Sequence, residues 1–256
     1  MFSIVCVYNN EGLLKSHLLK SLKDQTASYE LILEDNTESK FSSAAEALNH
    51  GGRRAKREYL MFVHQDVRLP SRDWLEVVES KLDLLPNLGA AGVAGMQEDT
   101  GLIMTNLEQG DPPRLAGPVQ IDHPERAQTL DECLVLVPRS VFQDLEFDEY
   151  TCDDWHLYAV DYCLGVKKFG YTVYVLPDHA YHLSPGYSMS ERYYRVMGKV
   201  MEKHKADYPI IYTTMGNWLT SRSVNANRLY HLKLKLKYYC LRSRDRLIQR
   251  YFFAEG

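Results

Sequence analysis

Short apolar runs alternate with longer amphipathic segments along the first quarter of the chain. Three runs are nearly continuous in apolar residues, as in strands buried on both faces of a sheet: 2–8, 29–33 and 59–63. After the first run, Leu14, Leu18 and Leu22 recur at the spacing of one helix face. The alanine-rich segment 42–57 predicts a second helix, which its paired glycines would interrupt or end. This order of elements predicts parallel βαβ units.

The pattern continues with further helices and strands. Three later segments predict helices: 71–85, 155–169 and 189–205. Three others predict strands: 88–95, 132–137 and 171–176. The stretch 96–131 is polar and contains several Pro and Gly residues, so it predicts a long binding loop or lid.

Each of the first three predicted strands ends in a polar cluster. The clusters are Asn9-Asn10-Glu11-Gly12, Glu34-Asp35-Asn36-Thr37 and His64-Gln65-Asp66. In an open parallel sheet, ligands bind at the C-terminal edge of the strands. The three clusters therefore predict one shared ligand site.

Composition narrows the class of protein only slightly. The 256 residues are 45% hydrophobic and 25% charged, with a formal net charge of −4, a balance that indicates neither disorder nor a nucleic-acid scaffold. The five cysteines form no CxxC pair, so we expect a reducing, cytoplasmic compartment rather than a disulfide framework. We also expect no leader segment and no transmembrane helix, because no stretch approaches ~20 apolar residues.

Two residues are candidates for holding a metal ion. The carboxylate of Asp66 follows a buried strand and needs a partner, which could be a cation completed by a diphosphate or the start of the next helix. His182 follows another predicted strand, although a lone histidine is more often a surface or core residue. An oxygen and a nitrogen ligand together suit Mn²⁺, and suit Mg²⁺ less well.

The order of five sequence pieces resembles glycosyltransferase family 2 with the GT-A fold. The pieces are VCVYNN, LEDNT, FVHQDV, DDWHLYAVDYCLGVKKFGY and YHLSPG. The resemblance implies an α/β, Rossmann-like fold with a mostly parallel central sheet flanked by helices. It covers roughly residues 1–186, the expected nucleotide-sugar-binding and catalytic domain. Residues 187–256 are then expected to form a basic, helical C-terminal extension packed on or beside it.

The resemblance also implies roles for individual residues. By this resemblance, five residues would bind the nucleotide sugar. Tyr8 and Asn9 line the base pocket, and Asp35 accepts a hydrogen bond from a base N–H. Asn49, which precedes the metal motif, and His64 complete the set. The family's usual Asp-x-Asp is His64-Gln65-Asp66 in this chain, which leaves a ribose role and a metal role for His64 both open. Asp66 matches the second acid of that motif, and His182 matches a later metal-binding histidine.

The catalytic base is the weakest part of the match. Ala159 stands where the usual catalytic Asp would be, which leaves Asp154 and Asp161 as candidates. Their seven-residue separation places them on one helix face if the helix includes both. Asp154 could instead cap the helix, and Asp161 could form a salt bridge with Lys167 or Lys168.

The implied reaction is transfer of a sugar from a nucleotide-diphosphate donor to a hydroxyl acceptor, with inversion. Mn²⁺ or Mg²⁺ would stabilise the leaving diphosphate, and a carboxylate would deprotonate a glycan, lipid-linked or protein acceptor. Sugar-nucleotide synthesis is an alternative, but the basic Gly-rich loop it needs does not follow the first strand. A catalytically inactive nucleotide-sugar-binding protein is a second alternative, and it is kept open by Ala159.

The segment 222–250 carries nine Lys and Arg residues and one acid, Asp245. Alternation at 232–238 suggests a strand, while the wider segment could form a basic amphipathic helix. It could contact an anionic membrane at the inner face or a partner protein, or it could be a solvated arm packed on the domain. No recognised motif accompanies the charge, so we expect no nucleic-acid partner. The sequence leaves an oligomer open.

Overall fold

The computed structural model describes residues 1–184, 186, 189–234 and 237. Within these residues the strands are β1 (Phe2–Tyr8), β2 (Tyr29–Asp35), β3 (Tyr59–Val63), β4 (Val67–Arg68), β5 (Leu88–Gly92), β6 (Ala94–Gln97), β7 (Ile103–Thr105), β8 (Leu107–Gln109), β9 (Arg114–Leu115), β10 (Glu125–Leu130), β11 (Leu134–Pro138), β12 (Thr172–Val175), β13 (Ala180–His182), β14 (Ile210–Thr213) and β15 (Gly216–Leu219). The helices are α1 (Glu11–Leu14), a π-helical turn (Lys15–Leu19), α2 (Lys20–Lys23), α3 (Ala44–Gly52), α4 (Trp74–Leu82), α5 (Arg139–Asp144), α6 (Tyr158–Lys168) and α7 (Glu191–His204). The predicted helices and strands of the first half are confirmed with small changes at their ends, except that the single strand predicted at 88–95 is two strands, β5 and β6.

A central sheet of nine strands has the order β2-β1-β3-β11-β5-β12-β10-β6-β7. Six of these strands, β2, β1, β3, β5, β12 and β6, run in one direction, while β11, β10 and β7 run in the other. The prediction of a mostly parallel sheet flanked by helices is confirmed. The pattern did not indicate that β11 lies antiparallel between β3 and β5. A second, smaller sheet has the order β4-β13-β8-β9.

The central sheet is buried on both faces, as the continuous apolar runs predicted. Along β1, Ile4 and Cys6 pack into the apolar layer that contains α1, α2 and α4, while Val5 packs into the layer that contains α3, α5, α6 and α7. Leu18, in the π-helical turn, is fully buried in the first layer. Alternate residues of a strand point to opposite faces, so one short run supplies both layers.

Helix α3 approaches the sheet closely because it ends in glycines. A Cβ added at Gly51 would lie 2.5 Å from Val5, and one at Gly52 would lie 2.5 Å from Phe142. Any larger residue would push the helix away from β1. The sequence prediction that these glycines end the helix is confirmed, and the structure adds this reason for them.

The prediction of one long loop at 96–131 is wrong. The segment contains four short strands, and β10 is part of the central sheet between β12 and β6. Its polar residues are buried because they bind the backbone of β14: Gln128 Nε2 donates to the Ile210 carbonyl, and Thr129 Oγ1 donates to the Tyr212 carbonyl. Side chains used in this way give a strand the polar pattern of a loop.

The region after residue 186 packs partly against the sheet. Tyr193, Val196 and Met197 of α7 belong to the same apolar cluster as α6. The division at residue 186 therefore stays a prediction. Residues 224–234 and 237 are helical, so the strand proposed at 232–238 is wrong for the part that is described, while 235–236 and 238–250 lie outside the described residues. Contact of this segment with a membrane also stays a prediction. No helix in the described ranges has both the length and the apolar character of a membrane span.

A buried ion pair fastens α7 to α6. The Asp161 carboxylate accepts from Lys203 Nζ at 2.7 Å and from His204 Nε2 at 2.8 Å, and the side chains of Asp161 and His204 are almost fully enclosed. Lys203 also reaches Asp148 Oδ2 at 2.8 Å. The salt-bridge alternative for Asp161 is therefore what the structure shows, with partners on α7 rather than Lys167 or Lys168.

We expect Asp161→Asn to lower the free energy of unfolding by about 3 kcal/mol, since breaking a buried pair leaves its partners uncompensated. The value is at the low end of the usual range because Lys203 keeps Asp148. Urea denaturation measures the change. The matched control is Asp153→Asn, whose exposed carboxylate pairs with Arg195 and Lys199 and should contribute less than about 1 kcal/mol. Equal losses in both variants would contradict the fastening role.

Candidate functional site

The ends of β1, β2 and β3 meet at one edge of the sheet. Gln65, after β3, joins the first and third ends: its Oε1 accepts from the backbone N–H groups of Asn9 and Asn10 at 3.1 and 3.0 Å. Its Nε2 donates to Asn9 Oδ1 at 2.7 Å. The second end is joined by the Asn36 N–H, which donates to the Tyr8 carbonyl at 2.8 Å. The sequence prediction that these polar clusters converge is confirmed.

A cavity of about 530 Å³ opens between these strand ends. Its volume lies within the range typical of small-molecule sites, about 300–1,000 Å³. Residues of three strand ends and of the segment before α6 line it, among them Tyr8, Asn9, Thr37, His64, Asp66 and Trp155. Aromatic walls and polar atoms therefore both face the space.

Three side chains form a compact cluster, His64, Asp66 and His182, and the first two of them line this cavity. The pairing of β4 with β13 places His182 opposite Val67, next to Asp66. His182 Nε2 lies 3.3 Å from Asp66 Oδ1 and 3.4 Å from His64 Nδ1. One potential ligand atom from each residue lies within 4.8 Å of the other two.

These distances fit a single transition-metal ion. Donors that each lie ~2.1 Å from one ion are separated from their neighbours by roughly 3.0–3.5 Å. Two imidazole nitrogens and one carboxylate oxygen form a donor set that suits Mn²⁺ better than Mg²⁺. The residues present therefore fit the predicted cation. The structure also places His64 with Asp66 and His182, which favours the metal role that the sequence had left open for it.

Hydrogen bonds orient the His64 ring toward the cluster. The Tyr158 hydroxyl donates to the Glu132 carbonyl oxygen at 2.9 Å, so its own oxygen remains free to accept from His64 Nε2 at 3.2 Å. With the proton on Nε2, the lone pair of His64 Nδ1 faces His182. A ligating imidazole needs such a partner on its other nitrogen, because that partner fixes tautomer and ring direction.

The protonation states also suit coordination. Burial, together with the nearby His182, lowers the pKa of His64 to about 4, so the ring is neutral at physiological pH. Burial alone would raise the pKa of Asp66, but the hydrogen bond and charge of His182 outweigh it and the pKa is lowered. Asp66 Oδ2 additionally accepts from the Ser184 N–H at 3.2 Å. The carboxylate is therefore ionised.

Two residues assigned to the nucleotide lie outside the cavity lining. Asp35 Oδ1 is occupied by the backbone N–H and hydroxyl of Thr37 at 2.9 and 2.7 Å. Asn49 is buried, and its amide donates to the Phe147 carbonyl at 2.9 Å and to Glu149 Oε1 at 2.8 Å. Through these contacts Asn49 holds α3 to the segment before α6. Tyr8, Asn9 and His64, in contrast, line the cavity.

Neither candidate base lies at the cluster. Asp161 is held by Lys203 and His204, as described above. Asp154 Oδ1 accepts from the Trp155 N–H at 2.8 Å, and Asp154 Oδ2 lies 3.3 Å from Arg195 Nη2. Neither carboxylate lines the cavity at the strand ends or the smaller one described next. The geometry gives a base at these two positions no support.

Sequence reasoning missed a second cavity of about 300 Å³ on the other side of the cluster. It shares His64, Asp66 and Trp155 with the first cavity, and its wall also includes Glu132, His156 and Tyr193. The one available signal was the position of Glu132 at the start of the predicted strand 132–137, which enters the central sheet from Leu134 onward as β11. That β11 pairs with β3, and so brings Glu132 near His64, was not readable from the pattern.

Comparison with known proteins identifies relatives of this chain. The sequence model of a glycosyltransferase-like family matches residues 3–204. A protein named "ATP synthase subunits region ORF 6" from Fuscovulum blasticum is 26% identical over an alignment of 167 residues, which covers 61% of this chain and 63% of that protein.

Solved glycosyltransferase structures share the fold at low sequence identity. A mannosyltransferase, PcManGT from Pyrobaculum calidifontis in complex with GDP-Man and Mn²⁺, is 15% identical with a TM-score of 0.57, covering 81% of this chain and 64% of that one. TarS from S. aureus in complex with UDP-GlcNAc is 16% identical with a TM-score of 0.54, covering 81% and 67%. GalNAc-T7 with UDP, GalNAc and Mn²⁺ is 13% identical with a TM-score of 0.57, covering 79% and 47%. The chain thus spans just under two thirds of the length of the first relatives, and the predicted GT-A-type fold is confirmed.

We expect Mn²⁺ to stabilise the protein by binding the cluster of His64, Asp66 and His182. At a hundredfold excess over the dissociation constant, the gain is about 2.7 kcal/mol. Thermal unfolding with and without Mn²⁺ measures it, and His182→Ala should abolish the gain. The matched control is His179→Ala, an exposed histidine three residues earlier that is not part of the cluster. A gain that survives His182→Ala would rule the cluster out as the site.

Tyr158→Phe should weaken Mn²⁺ binding by about tenfold, because His64 Nε2 loses the acceptor that fixes its tautomer. Isothermal titration calorimetry measures the affinity. Tyr162→Phe is the control, since its hydroxyl lies one turn along α6 and has no hydrogen-bond partner among the described residues. Unchanged affinity in the Tyr158 variant would show that the hydroxyl does not orient the ring.

Proposed function

This chain belongs to the glycosyltransferase-like family, and we propose from that premise that it transfers a sugar from a nucleotide-diphosphate donor to a hydroxyl acceptor. The observation that carries the proposal is the position of the cluster of His64, Asp66 and His182, where the two cavities meet. A cluster that can hold a cation lies there between one space for a donor and another for an acceptor.

The larger cavity is the proposed donor site. Tyr8 and Trp155 supply aromatic walls for a nucleotide base, and Asn9 and Thr37 supply polar side chains beside them. The hydrogen bonds between Gln65 and Asn9 hold the ends of β1 and β3 together before a ligand binds. The proposal puts the diphosphate at the cluster, because His64 and Asp66 line the same cavity.

The metal requirement of the reaction follows from the leaving group. Bound there, a divalent cation supplies positive charge to the diphosphate oxygens as the bond to the sugar breaks. The residues of this chain would hold that charge at a fixed point, because Ser184 hydrogen-bonds to Asp66 and Tyr158 hydrogen-bonds to His64. The neighbours PcManGT and GalNAc-T7 are described with Mn²⁺, which supports the proposal of this metal. We further propose that transfer inverts the anomeric centre.

The smaller cavity is the proposed acceptor site. It is lined by the same three cluster residues, His64, Asp66 and His182, so an acceptor bound there would lie next to the proposed position of the donor. Aromatic and polar side chains line it together, including the half-buried Trp155 and His156 and the buried Tyr193. Such a mixed wall suits a ring that carries hydroxyl groups, since apolar faces and hydrogen-bonding edges alternate on a sugar.

A catalytically inactive nucleotide-sugar-binding protein is the second candidate. The observation in its favour is that α6 begins with Tyr158 and Ala159, neither of which carries an acid. Such a protein would bind donor with the same residues and never release the sugar. Turnover separates the two candidates.

We expect product from one nucleotide-sugar class when purified protein is incubated with Mn²⁺ and a panel of UDP- and GDP-sugars. Mass spectrometry detects the freed nucleoside diphosphate and the transferred or hydrolysed sugar. Asp66→Ala should lower turnover by at least about 100-fold, because charge on the leaving group is no longer compensated. His179→Ala should keep it. Tight donor binding without any turnover would support the inactive alternative instead.

A further inference from the structure

One acid in the smaller cavity is not explained by the metal cluster. Glu132 lies in the turn between β10 and β11 and lines the same space as His64, Asp66 and His182. Its Oε1 is buried and has no hydrogen-bond partner among the described residues. Its Oε2 lies 3.9 Å from His156 Nδ1, too far for a hydrogen bond. A buried carboxylate oxygen without a partner is costly, and it needs a function or a ligand to account for it.

The surrounding structure holds Glu132 firmly in place. Its carbonyl oxygen accepts from the Tyr158 hydroxyl at 2.9 Å, the same hydroxyl that orients His64. The next residue, Cys133, is buried, and its carbonyl accepts from the His64 N–H at 2.9 Å. Glu132 is therefore tied through its own backbone to the end of β3, where the cluster begins.

The other acids in or near the cavity are already engaged. Asp131 Oδ1 accepts from the Cys133 N–H at 3.0 Å, and its Oδ2 accepts from Thr214 Oγ1 at 2.9 Å. Asp66 belongs to the metal cluster. Asp154 and Asp161 are paired with basic side chains outside the cavity lining. Among the described residues, Glu132 is the acid of the cavity that has an oxygen free to accept a proton from a ligand.

We propose that Glu132 is the general base that removes the proton from the acceptor hydroxyl. The assignment rests on the proposed transferase function and deepens it. It replaces Asp154 and Asp161, the two candidates from the sequence, by an acid that reaches the site from a different part of the chain. Ala159 is wholly buried beside it and offers no carboxylate.

The step balances as a single displacement. The acceptor O–H proton passes to a carboxylate oxygen of Glu132, and the acceptor oxygen forms a bond to the anomeric carbon of the donor sugar. The bond between that carbon and the diphosphate oxygen breaks, and its electron pair leaves with the nucleoside diphosphate. Glu132 ends the step as a carboxylic acid and returns its proton to water after product leaves.

The acidity of this carboxyl is consistent with the role. The pKa of Glu132 is raised to about 8, mainly by burial and less by the neighbouring Asp131, although hydrogen bonding from the backbone N–H groups of Leu157, Ala159 and Tyr158 lowers it. A base works best when the pKa of its conjugate acid lies near the working pH. An exposed Glu, with a pKa near 4.3, would accept a proton far less readily.

The test compares Glu132→Gln with wild-type protein under saturating donor and Mn²⁺. General-base catalysis typically contributes 10²–10⁴-fold, so we expect kcat to fall by at least about 100-fold. The KM for donor and the Mn²⁺ affinity should stay within about twofold, because Glu132 contacts neither in the proposal. The matched control is Glu125→Gln at the opposite end of β10, where the side chain is partly exposed beside His123, and its turnover should equal wild type.

A second variant separates chemistry from structure. In Glu132→Ala, added formate should restore part of the lost turnover, because a small carboxylate can enter the space left by the side chain and accept the proton. A merely structural role predicts no such rescue. Turnover retained in Glu132→Gln, or its loss in Asp154→Asn with Glu132→Gln unaffected, would overturn the assignment. Wild-type protein that binds donor without turning it over would instead refute the proposed transferase function.

Discussion

The antiparallel pairing of β4 with β13 is the contact on which the proposed site depends. It places His182 beside Asp66, although the two residues are far apart along the chain. Without it, the strand ends of β1, β2 and β3 would still form a cavity, but only two of the three potential metal ligands would be near it. The pairing is short, since β4 has two residues and β13 has three. The Asp66 backbone adds to it by accepting from the Leu183 N–H at 3.2 Å.

Much of the fold follows from elementary patterns, and the failures have identifiable causes. The continuous run of β1 predicted a strand buried on both faces, and Ile4 and Val5 enter opposite layers as a period of two requires. The polar clusters predicted the edge where ligands bind. Strand β10 was hidden because Gln128 and Thr129 satisfy the backbone of β14, so its polarity reflects a partner that the local sequence does not contain.

The site was predictable to the extent that it is local. Tyr8, Asn9, His64 and Asp66 lie at or within three residues of a strand end, and each lines the cavity. Asn49, Asp154 and Asp161 carry suitable chemistry, but their contacts lie elsewhere, with Phe147, Arg195 and Lys203. Glu132 could not be selected from the sequence, since its relevance depends on the antiparallel neighbour of β3. The resemblance predicted the fold and the order of the motifs. The other site residues depend on strand pairings between distant parts of the chain, which only the structure shows.

Pulsed electron paramagnetic resonance of the Mn²⁺-loaded protein, with and without a nucleoside diphosphate, tests the central claim most directly. Nitrogen couplings from two imidazoles should be present in both samples, and a phosphorus coupling should appear when the diphosphate is added. Such a spectrum would show one ion held by two histidines and touching the donor's leaving group. A bound ion without nitrogen couplings would contradict the account, and so would nitrogen couplings that persist with no phosphorus coupling at saturating nucleotide.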